Sequence, residues 1–146
     1  MFVKEILSPA RIRLVTIADD APLIEVAKLL RSGTDIVVVC DSAGLMTGVI
    51  TKTDVVAQIS HCQGSNCTNP ASSVMTQDIV LCRSDDELHT VWSRMKERGL
   101  KNIPIIDQDS RPVGMLTARD ALQALLRETE NDESLLRDYV MGIGYR

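Results

Sequence analysis

A short motif with a glycine, a threonine and an aspartate at fixed spacing occurs twice in the sequence, and its residue types suit contacts with a phosphorylated sugar. The two copies of Gly-x-x-Thr-x-x-Asp lie 66 positions apart, as Gly48, Thr51 and Asp54 and as Gly114, Thr117 and Asp120. A threonine that ends a strand and starts a helix places its hydroxyl beside free backbone N–H groups, which attract phosphate. An aspartate in the first helical turn can accept hydrogen bonds from sugar hydroxyls. The glycine is expected to let the backbone bend or approach a ligand closely.

Each motif also carries a basic residue next to its threonine. Lys52 follows Thr51 directly, whereas Arg119 lies two residues after Thr117. Because a guanidinium can bind phosphate through two hydrogen bonds, we hypothesise that Arg119 makes the second site the stronger phosphate binder. A solvated arginine at a helix start is the alternative. Thr-x-x-Asp is also a variant capping box that any helix can use for itself, so the repetition is what favours a ligand site.

The two motifs belong to a longer internal repeat. Apolar residues at helical spacing, Leu23, Val26, Ala27 and Leu30, return as Leu88, Val91, Trp92 and Met95. Gly33 and Gly99 end these helices, and a β-branched segment, a turn and a second short strand follow each glycine. Brief apolar segments at 14–17 and 79–82 precede the helices. The pattern predicts β-α-β-β-α twice, in an α/β (α+β) fold.

The repeat divides the chain into four parts. We predict a first repeat at 1–64, a connecting loop at 65–72, a second repeat at 73–128, and a C-terminal helix and tail at 129–146. In the terminal part, apolar residues lie at helical spacing: Leu135, Leu136, Tyr139 and Val140. These residues predict either a short helix docked on its own domain or a dimer contact.

The composition excludes several classes of partner. Of 146 residues, 45% are hydrophobic and only 3% aromatic, so branched aliphatic side chains must form most of the core. The net charge of −4, without a block of basic residues, argues against nucleic acid and against an anionic membrane surface. Glu5 and Pro9 interrupt the N-terminal apolar stretch, so no signal peptide is predicted, and we expect a cytoplasmic protein.

The most specific segments of the repeat resemble the cystathionine-β-synthase (CBS) domain family. The resemblance covers about residues 14–128 and is carried by Gly48–Asp54, Gly114–Asp120 and, in the second copy, Gly99–Asp107. A tandem CBS pair, or Bateman module, implies two repeats that pack through their sheets with pseudo-two-fold symmetry. It implies two clefts between them, in which the family binds adenosine-containing ligands such as AMP, ADP, ATP, NAD or S-adenosylmethionine.

The resemblance also implies roles for individual residues. Thr51 and Thr117 would bind phosphate, and Asp54 and Asp120 would bind ribose. The adenine pockets would be formed by Asp35, Ile36 and Val37, by Asn102, Ile103 and Pro104, and by the strand starts Thr16, Ile17, Val80 and Leu81. Lys52 and Arg119 complete this nucleotide-binding set. The first copy has Ile36-Val37-Val38 where the second has Asn102-Ile103-Pro104, so the cleft of the second motif is expected to be the better nucleotide site.

As a function, the resemblance implies a regulatory module that senses adenosine ligands, commonly as a homodimer, and signals to a separate protein by a conformational change. The alternative is an interaction or dimerisation protein with vestigial clefts. No enzyme activity and no catalytic cofactor are expected, because a nucleophile with a base and a complete metal site are both missing from the sequence pattern. Of the two histidines, His61 and His89, neither lies near a motif.

A polar loop between the repeats contains His61, Cys62 and Cys67. Thiolates and imidazole suit Zn²⁺, although three ligands are too few for a closed structural site, and no metal site is predicted. A metal- or redox-responsive loop with a reversible Cys62–Cys67 disulfide remains an alternative to an inert connection.

Overall fold

The computed structural model describes residues 1–60 and 68–141, with the backbone alone for 131–141. The hypotheses about the loop with His61, Cys62 and Cys67 therefore lie outside the described residues. The same holds for the side chains of the proposed terminal contact, Leu135, Leu136, Tyr139 and Val140. None of the helices in the described part of the chain is long and apolar enough to cross a membrane.

The secondary structure confirms the predicted order of elements in both repeats. A 3-10 helix (Val3–Ile6) and helix α1 (Leu7–Arg13) come first. The first repeat follows with β1 (Thr16–Ala18), α2 (Leu23–Leu29), β2 (Ile36–Cys40), β3 (Met46–Thr51) and α3 (Lys52–Ser60). After a 3-10 helix (Ala71–Ser73), the second repeat contains β4 (Cys82–Arg83), α4 (Leu88–Arg98), β5 (Asn102–Ile106), β6 (Pro112–Thr117) and α5 (Ala118–Met141).

Each repeat forms a three-stranded sheet with the same topology. The first strand is parallel to the central strand, and the third is antiparallel to it. The register shifts between Val39 and Cys40 in one sheet and between Ile105 and Ile106, 66 positions later, in the other. Thr51 pairs with Ile36, and Thr117 with Asn102. Each motif threonine therefore ends the third strand opposite the first residue of the central strand.

Branched aliphatic residues fill three layers of core, as the composition predicts. Between the first sheet and its helices lie Leu23, Val26, Val39, Ile50 and Val55. The second sheet and its helices bury Leu88, Val91, Met95, Ile103, Ile105 and Leu116. A third cluster joins the two sheets face to face and is formed by Val38, Val49 and Met115. The sheet faces therefore meet along a shared apolar layer, and open clefts can form only at its edges.

The segment before each repeat packs against the other repeat. These exchanged segments are residues 1–13, before the first repeat, and residues 68–79, before the second. Val3 and Ala10 are buried in the core of the second repeat, and Ala71 in that of the first. The backbone N–H of Leu88 donates to the Met1 carbonyl, and that of Leu23 to the Asn69 carbonyl, each at 2.8 Å. Helix α1 was missed in the sequence, although Val3, Ile6, Leu7 and Ala10 have the i, i+3, i+4, i+7 spacing of an amphipathic helix.

The motif glycines face these exchanged segments, which corrects the expectation that they approach a ligand. A Cβ on Gly48 would lie 2.8 Å from the Thr76 carbonyl oxygen and from the Met75 sulfur. A Cβ on Gly114 would lie 3.0 Å from the Cβ of Ala10. Both positions need glycine for close packing between strand and segment, and the chemistry of the motif rests on its threonine and aspartate.

Helix α5 continues through position 128, where the sequence had been divided into a second repeat and a separate C-terminal helix. It is one helix over 24 residues, Ala118–Met141. No glycine or proline occurs in this range, so nothing in the sequence ends the helix. By contrast, Gly99 ends α4 in the left-handed conformation, at φ 64°, as predicted. The same prediction for Gly33 is wrong, because α2 ends at Leu29, with Leu30 as its cap.

Candidate functional site

The larger of the two clefts at the edges of the sheet interface contains the first motif. It has a volume of about 780 Å³, within the range of small-molecule sites. Seven of the residues proposed from the sequence line it together: Asp35, Ile36, Thr51, Lys52, Val80, Asn102 and Pro104. The start of α3 in the first repeat thus faces strand residues of the second repeat. The lining of this cleft therefore combines residues of both copies.

The remaining lining of the first cleft was not found in the sequence. It comprises Val49, Thr53, Asp78, Ile79, Arg98, Gly99, Leu100 and Lys101. The sequence predicts a strand at Ile79, but β4 begins only at Cys82. Ile79 therefore lies in the connection before β4, which lines the cleft. Arg98 and Lys101 flank the C-terminal end of α4 and are both exposed. They bring two cations to the cleft beside Lys52.

The first motif forms a reciprocal cap at the start of α3. The backbone N–H of Thr51 donates to Asp54 Oδ2 at 2.9 Å, and the Thr51 hydroxyl donates to the same oxygen at 3.2 Å. In return, the backbone N–H of Asp54 donates to Thr51 Oγ1 at 3.3 Å. The capping-box alternative is therefore realised in this copy. Asp54 does not itself line the cleft, because its carboxylate is turned onto the cap.

An exposed ion pair lies at the rim of the first cleft. Lys52 Nζ is 3.1 Å from Asp35 Oδ1, and the two side chains are 47% and 67% exposed. Pairs this exposed contribute about 0–1 kcal/mol and exchange partners easily. Lys52 is therefore available to another anion in the cleft.

The second cleft is smaller and divided. One part, of about 110 Å³, is lined by Arg13, Gly33, Thr34, Asp35, Ile36, Asn102, Met115 and Thr117. The other, of about 330 Å³, is lined by Arg13, Asp35, Lys101, Asn102, Thr117, Ala118 and Arg119. Thr117 and Arg119 both line this second part. Asp35 and Asn102 line both clefts, since they lie at the start of the central strands, near the pseudo-two-fold axis.

The second motif has a different set of hydrogen bonds. The Asp120 backbone N–H donates to Thr117 Oγ1 at 3.0 Å, which caps α5. The Asp120 carboxylate, however, accepts two hydrogen bonds from Arg13, from Nε at 2.6 Å and from Nη2 at 3.2 Å. These bonds raise the pKa of the Arg13 guanidinium. Arg13 is the last residue of α1, and nothing in the repeat pattern pointed to it because it lies 107 residues from Asp120.

The position that corresponds to Arg13 in the other copy has the opposite charge. Ile17 in β1 pairs with Val39, and Cys82 in β4 pairs with Ile105, so the two strands correspond with an offset of 65. The same offset takes Arg13 to Asp78, which lines the first cleft. The exchanged segments therefore give the two clefts opposite charges at equivalent positions.

Several residues proposed from the sequence lie outside the linings of both clefts. They are Thr16, Ile17, Val37, Asp54, Leu81, Ile103 and Asp120. Val37 and Ile103 are fully buried. Because side chains alternate along a strand, Ile36 reaches a cleft whereas its neighbour Val37 points into the protein. Ile17 packs against the first core, so its side chain is turned away from the clefts.

The described part of the chain offers little for metal binding or nucleophilic chemistry. No group of three or more His, Cys, Asp or Glu side chains there is placed to hold a metal ion. Cys82 is buried, and burial raises the pKa of its thiol to about 12, so the thiol is protonated at neutral pH. Burial also raises the pKa of Cys40. Neither cysteine is an activated nucleophile.

Comparisons with known proteins identify the repeats. The family model described as CBS domain matches residues 3–61 and 71–127. An uncharacterized protein of Methanopyrus kandleri is 28% identical over 116 residues, which are 78% of this chain and 59% of that protein. This chain spans between 22% and 59% of the length of three curated relatives that it matches.

Solved structures share the fold. The crystal structure of CBSX2 in complex with AMP has a TM-score of 0.74 and 18% identity, and the match covers 88% of this chain and 98% of that one. The CBS domain pair of protein MJ0100, in complex with 5′-methylthioadenosine and S-adenosyl-L-methionine, has a TM-score of 0.69 and 22% identity, with the same coverage of 88% and 98%. At these identities the likeness establishes the arrangement of the two repeats.

Proposed function

Because the chain belongs to the CBS domain family and contains two CBS domains, we propose that it is a regulatory module that binds an adenosine-containing ligand between its repeats. The observation that supports this most is the first cleft of about 780 Å³, where the start of α3 faces strand residues of the second repeat. Two proteins of similar fold bind such ligands. CBSX2 was solved in complex with AMP, and the MJ0100 domain pair in complex with 5′-methylthioadenosine and S-adenosyl-L-methionine.

The walls of the first cleft suit a planar base. Ile36, Ile79 and Pro104 present apolar surface from both repeats. Asn102 lies beside them with an amide that can both donate and accept hydrogen bonds. A purine between such walls would bury its faces and keep its polar edge satisfied. We therefore assign the adenine to the walls formed by Ile36, Ile79 and Pro104.

The first cleft also contains groups that suit phosphate. Thr51 and Lys52 bring a hydroxyl, a helix start and an ammonium group to it. Arg98 and Lys101 add two exposed cations. Lys52 would exchange its rim partner Asp35 for the phosphate at small cost. This favours AMP, ADP, ATP or NAD over an uncharged nucleoside in the first cleft.

Ribose is assigned to the motif aspartates. Asp54 uses one oxygen, Oδ2, for both of its contacts with Thr51, so the other carboxylate oxygen is the acceptor proposed for a ribose hydroxyl. Because Asp54 does not line the cleft, its carboxylate would have to turn toward the sugar, while the hydrogen bond from the Asp54 N–H to Thr51 Oγ1 still caps α3. A rearrangement that broke the cap would cost about 0.5–2 kcal/mol.

The proposed ligand site can be tested with a panel of AMP, ADP, ATP, NAD and S-adenosylmethionine, with GMP as a control for the base. We expect saturable binding by calorimetry and a rise in melting temperature that follows RT ln(1 + [L]/Kd). Thr51→Val should weaken binding of the phosphorylated ligands, whereas Thr90→Val, on the exposed face of α4, should not. If none of the five ligands stabilised the protein, the vestigial-cleft alternative would stand.

We also propose that two copies of the chain associate through their helices. Large apolar side chains are exposed on α2, α3 and α5: Ile24, Val56, Ile59, Leu122 and Leu126. Exposed apolar surface of this kind on both repeats suits a second copy of the same chain. Light scattering should give the mass of a dimer, and Val56→Glu with Leu122→Glu should reduce it to that of a monomer. A monomeric wild type would contradict the proposal. Signalling to a separate protein would then follow from a ligand-dependent change in this assembly.

A further inference from the structure

The two motif aspartates have different partners, and the difference arises outside the repeats. Asp54 contacts the threonine of its own motif, whereas Asp120 is held by Arg13 through two hydrogen bonds. The Asp120 side chain is 13% exposed and that of Arg13 is 46% exposed. The carboxylate is therefore nearly covered, while the guanidinium stays open to solvent and can leave.

Arg13 lines the same cavity as the start of α5. Within the part of about 330 Å³, Arg13, Lys101 and Arg119 lie around Thr117 and Ala118. Asp35 is the one acidic side chain in that lining, so the cavity is dominated by positive charge. Three cations around a helix start favour a phosphate group. The guanidinium can turn from Asp120 to a phosphate in this cavity without leaving the cleft.

We propose that Arg13 is a specificity-determining residue that makes the second cleft select ligands with a phosphate. The proposal rests on the proposed function, because it takes Asp120 as the acceptor for ribose. When ribose hydroxyls donate to Asp120, they displace the guanidinium of Arg13. A phosphate on the same ligand then gives Arg13 a new anionic partner.

Other ligand classes give the displaced guanidinium of Arg13 no anionic partner. A nucleoside without phosphate leaves the displaced guanidinium to water, and a sulfonium ligand such as S-adenosylmethionine repels it. The first cleft has Asp78 at the equivalent position, so any preference for phosphate there comes from Lys52, Arg98 and Lys101 and not from the segment before the repeat. The two clefts are therefore expected to rank the same ligands differently.

Methyl NMR of the full chain can follow the two clefts separately during titration with AMP and with adenosine. Ile79 lines only the first cleft and Met115 only the second. In Arg13→Gln, we expect the ratio of AMP affinity to adenosine affinity, measured at Met115, to fall about two- to fivefold. Adenosine gains because Asp120 is free, and AMP loses a cation. The ratio measured at Ile79 should stay unchanged.

Two further variants make the test specific. Arg11→Gln removes an exposed charge from the same helix, outside both cleft linings, and should leave both ratios unchanged. Arg13→Lys keeps the charge without the two-point contact, so its ratio should lie between those of wild type and Arg13→Gln. Melting curves of each variant establish that it is folded.

Each contrary result has a distinct meaning. If Arg13→Gln raised the affinities for AMP and adenosine equally, Arg13 would only block the cleft, and the proposal would be overturned. If Arg13→Gln left both affinities unchanged, Arg13 would neither compete for Asp120 nor contact the phosphate, and the proposal would also be overturned. If neither ligand shifted either methyl signal in the wild type, nucleotide binding itself would be refuted, and the role of Arg13 with it.

Discussion

The first and second clefts each lie beside a motif threonine at the edge of the sheet interface, yet they differ in size, charge and hydrogen bonding. The first is a continuous cleft of about 780 Å³, whereas the second is divided into parts of about 110 and 330 Å³. Arg13 lines both parts of the second cleft, and its counterpart Asp78 lines the first. The sequence favours the second cleft, whereas we propose the first as the principal ligand site because it is larger and continuous.

The comparison shows where a duplicated protein becomes asymmetric. The strands and helices of the repeats keep their period, including the register shift in each central strand. The exchanged segments before the repeats do not keep it: one is α1 and the other is the short 3-10 helix Ala71–Ser73. Because these segments pack on the third strands, they determine what lines each cleft.

The largest expected effects test whether the two cores are equivalent. Ile50 and Leu116 occupy matching positions in β3 and β6, and both are fully buried. Ile50→Ala and Leu116→Ala should each lower the free energy of unfolding by about 2–5 kcal/mol, because each leaves a cavity. Urea denaturation measures both. A loss at one position less than half that at the other would place the asymmetry in the cores, and not in the exchanged segments.

The next effect concerns the motif glycines. Gly48→Ala should destabilise by about 1–3 kcal/mol through overpacking. The Thr76 carbonyl that its Cβ would meet is fixed, since Thr76 and Val49 exchange two backbone hydrogen bonds. Gly114→Ala should cost less, because its closest neighbour is the Cβ of Ala10 at 3.0 Å, which a small shift of α1 can relieve.

A double variant checks the cause at the second glycine. In an Ala10→Gly background the closest contact is absent, so Gly114→Ala should cost less than it does in the wild type. Urea denaturation of the four proteins gives the coupling. If the two substitutions were simply additive, contact with α1 would not explain why position 114 is a glycine.

The sequence predicted the repeats well because their elements depend on local patterns. Apolar spacing, the stop at Gly99 and the short β-branched strands each act within one copy, and the period of 66 allowed the copies to support each other. Helix α1 left a similar pattern, but it has no counterpart of equal length in the other copy. Only the apolar spacing within α1 could indicate this helix, because the other copy offers no matching helix for comparison.

The clefts were less predictable because they combine distant parts of the chain. Thr51 faces Ile79 and Pro104 of the other repeat, so no comparison within one copy could assemble the first cleft. An exposed arginine such as Arg13 gives no periodic signal, and its contact with Asp120 depends on how α1 packs against β6. Strand alternation does carry usable information here, because it places the side chains of Ile36 and Val37 on opposite faces of the sheet.

A smaller effect distinguishes the two motif aspartates. Asp54→Ala should lower the free energy of unfolding by about 0.5–2 kcal/mol, because it removes the cap of Thr51. Asp120→Ala should cost about 1 kcal/mol or less, because the Thr117 hydroxyl still caps α5 and only the ion pair with Arg13 is lost. The Asp120 effect should also shrink in high salt, which screens the ion pair. Equal and equally salt-dependent losses in denaturation experiments would contradict this distinction.

The smallest effect is absent at neutral pH and arises from one position where the copies differ in chemistry. Cys82 in β4 corresponds to Ile17 in β1, so only the second repeat has an ionisable group there. Burial raises the pKa of Cys82 from 9.0 to about 12. Above pH 9 the unfolded chain loses this proton while the folded chain keeps it. Stability is therefore complete below pH 9 and falls as the pH rises, by at most about 1.4 kcal/mol per pH unit from this group.

The matched variant for this prediction is Cys82→Val, which keeps an apolar side chain without an ionisable thiol. Urea denaturation from pH 8 to 10.5 should give a stability difference between wild type and variant that is constant up to about pH 9 and then moves in favour of the variant. All other ionisable groups are the same in both proteins, so the difference isolates Cys82. Parallel stability curves across this range would show that the thiol ionises as readily in the folded chain as in the unfolded one, and that the interior of the second repeat admits water at β4.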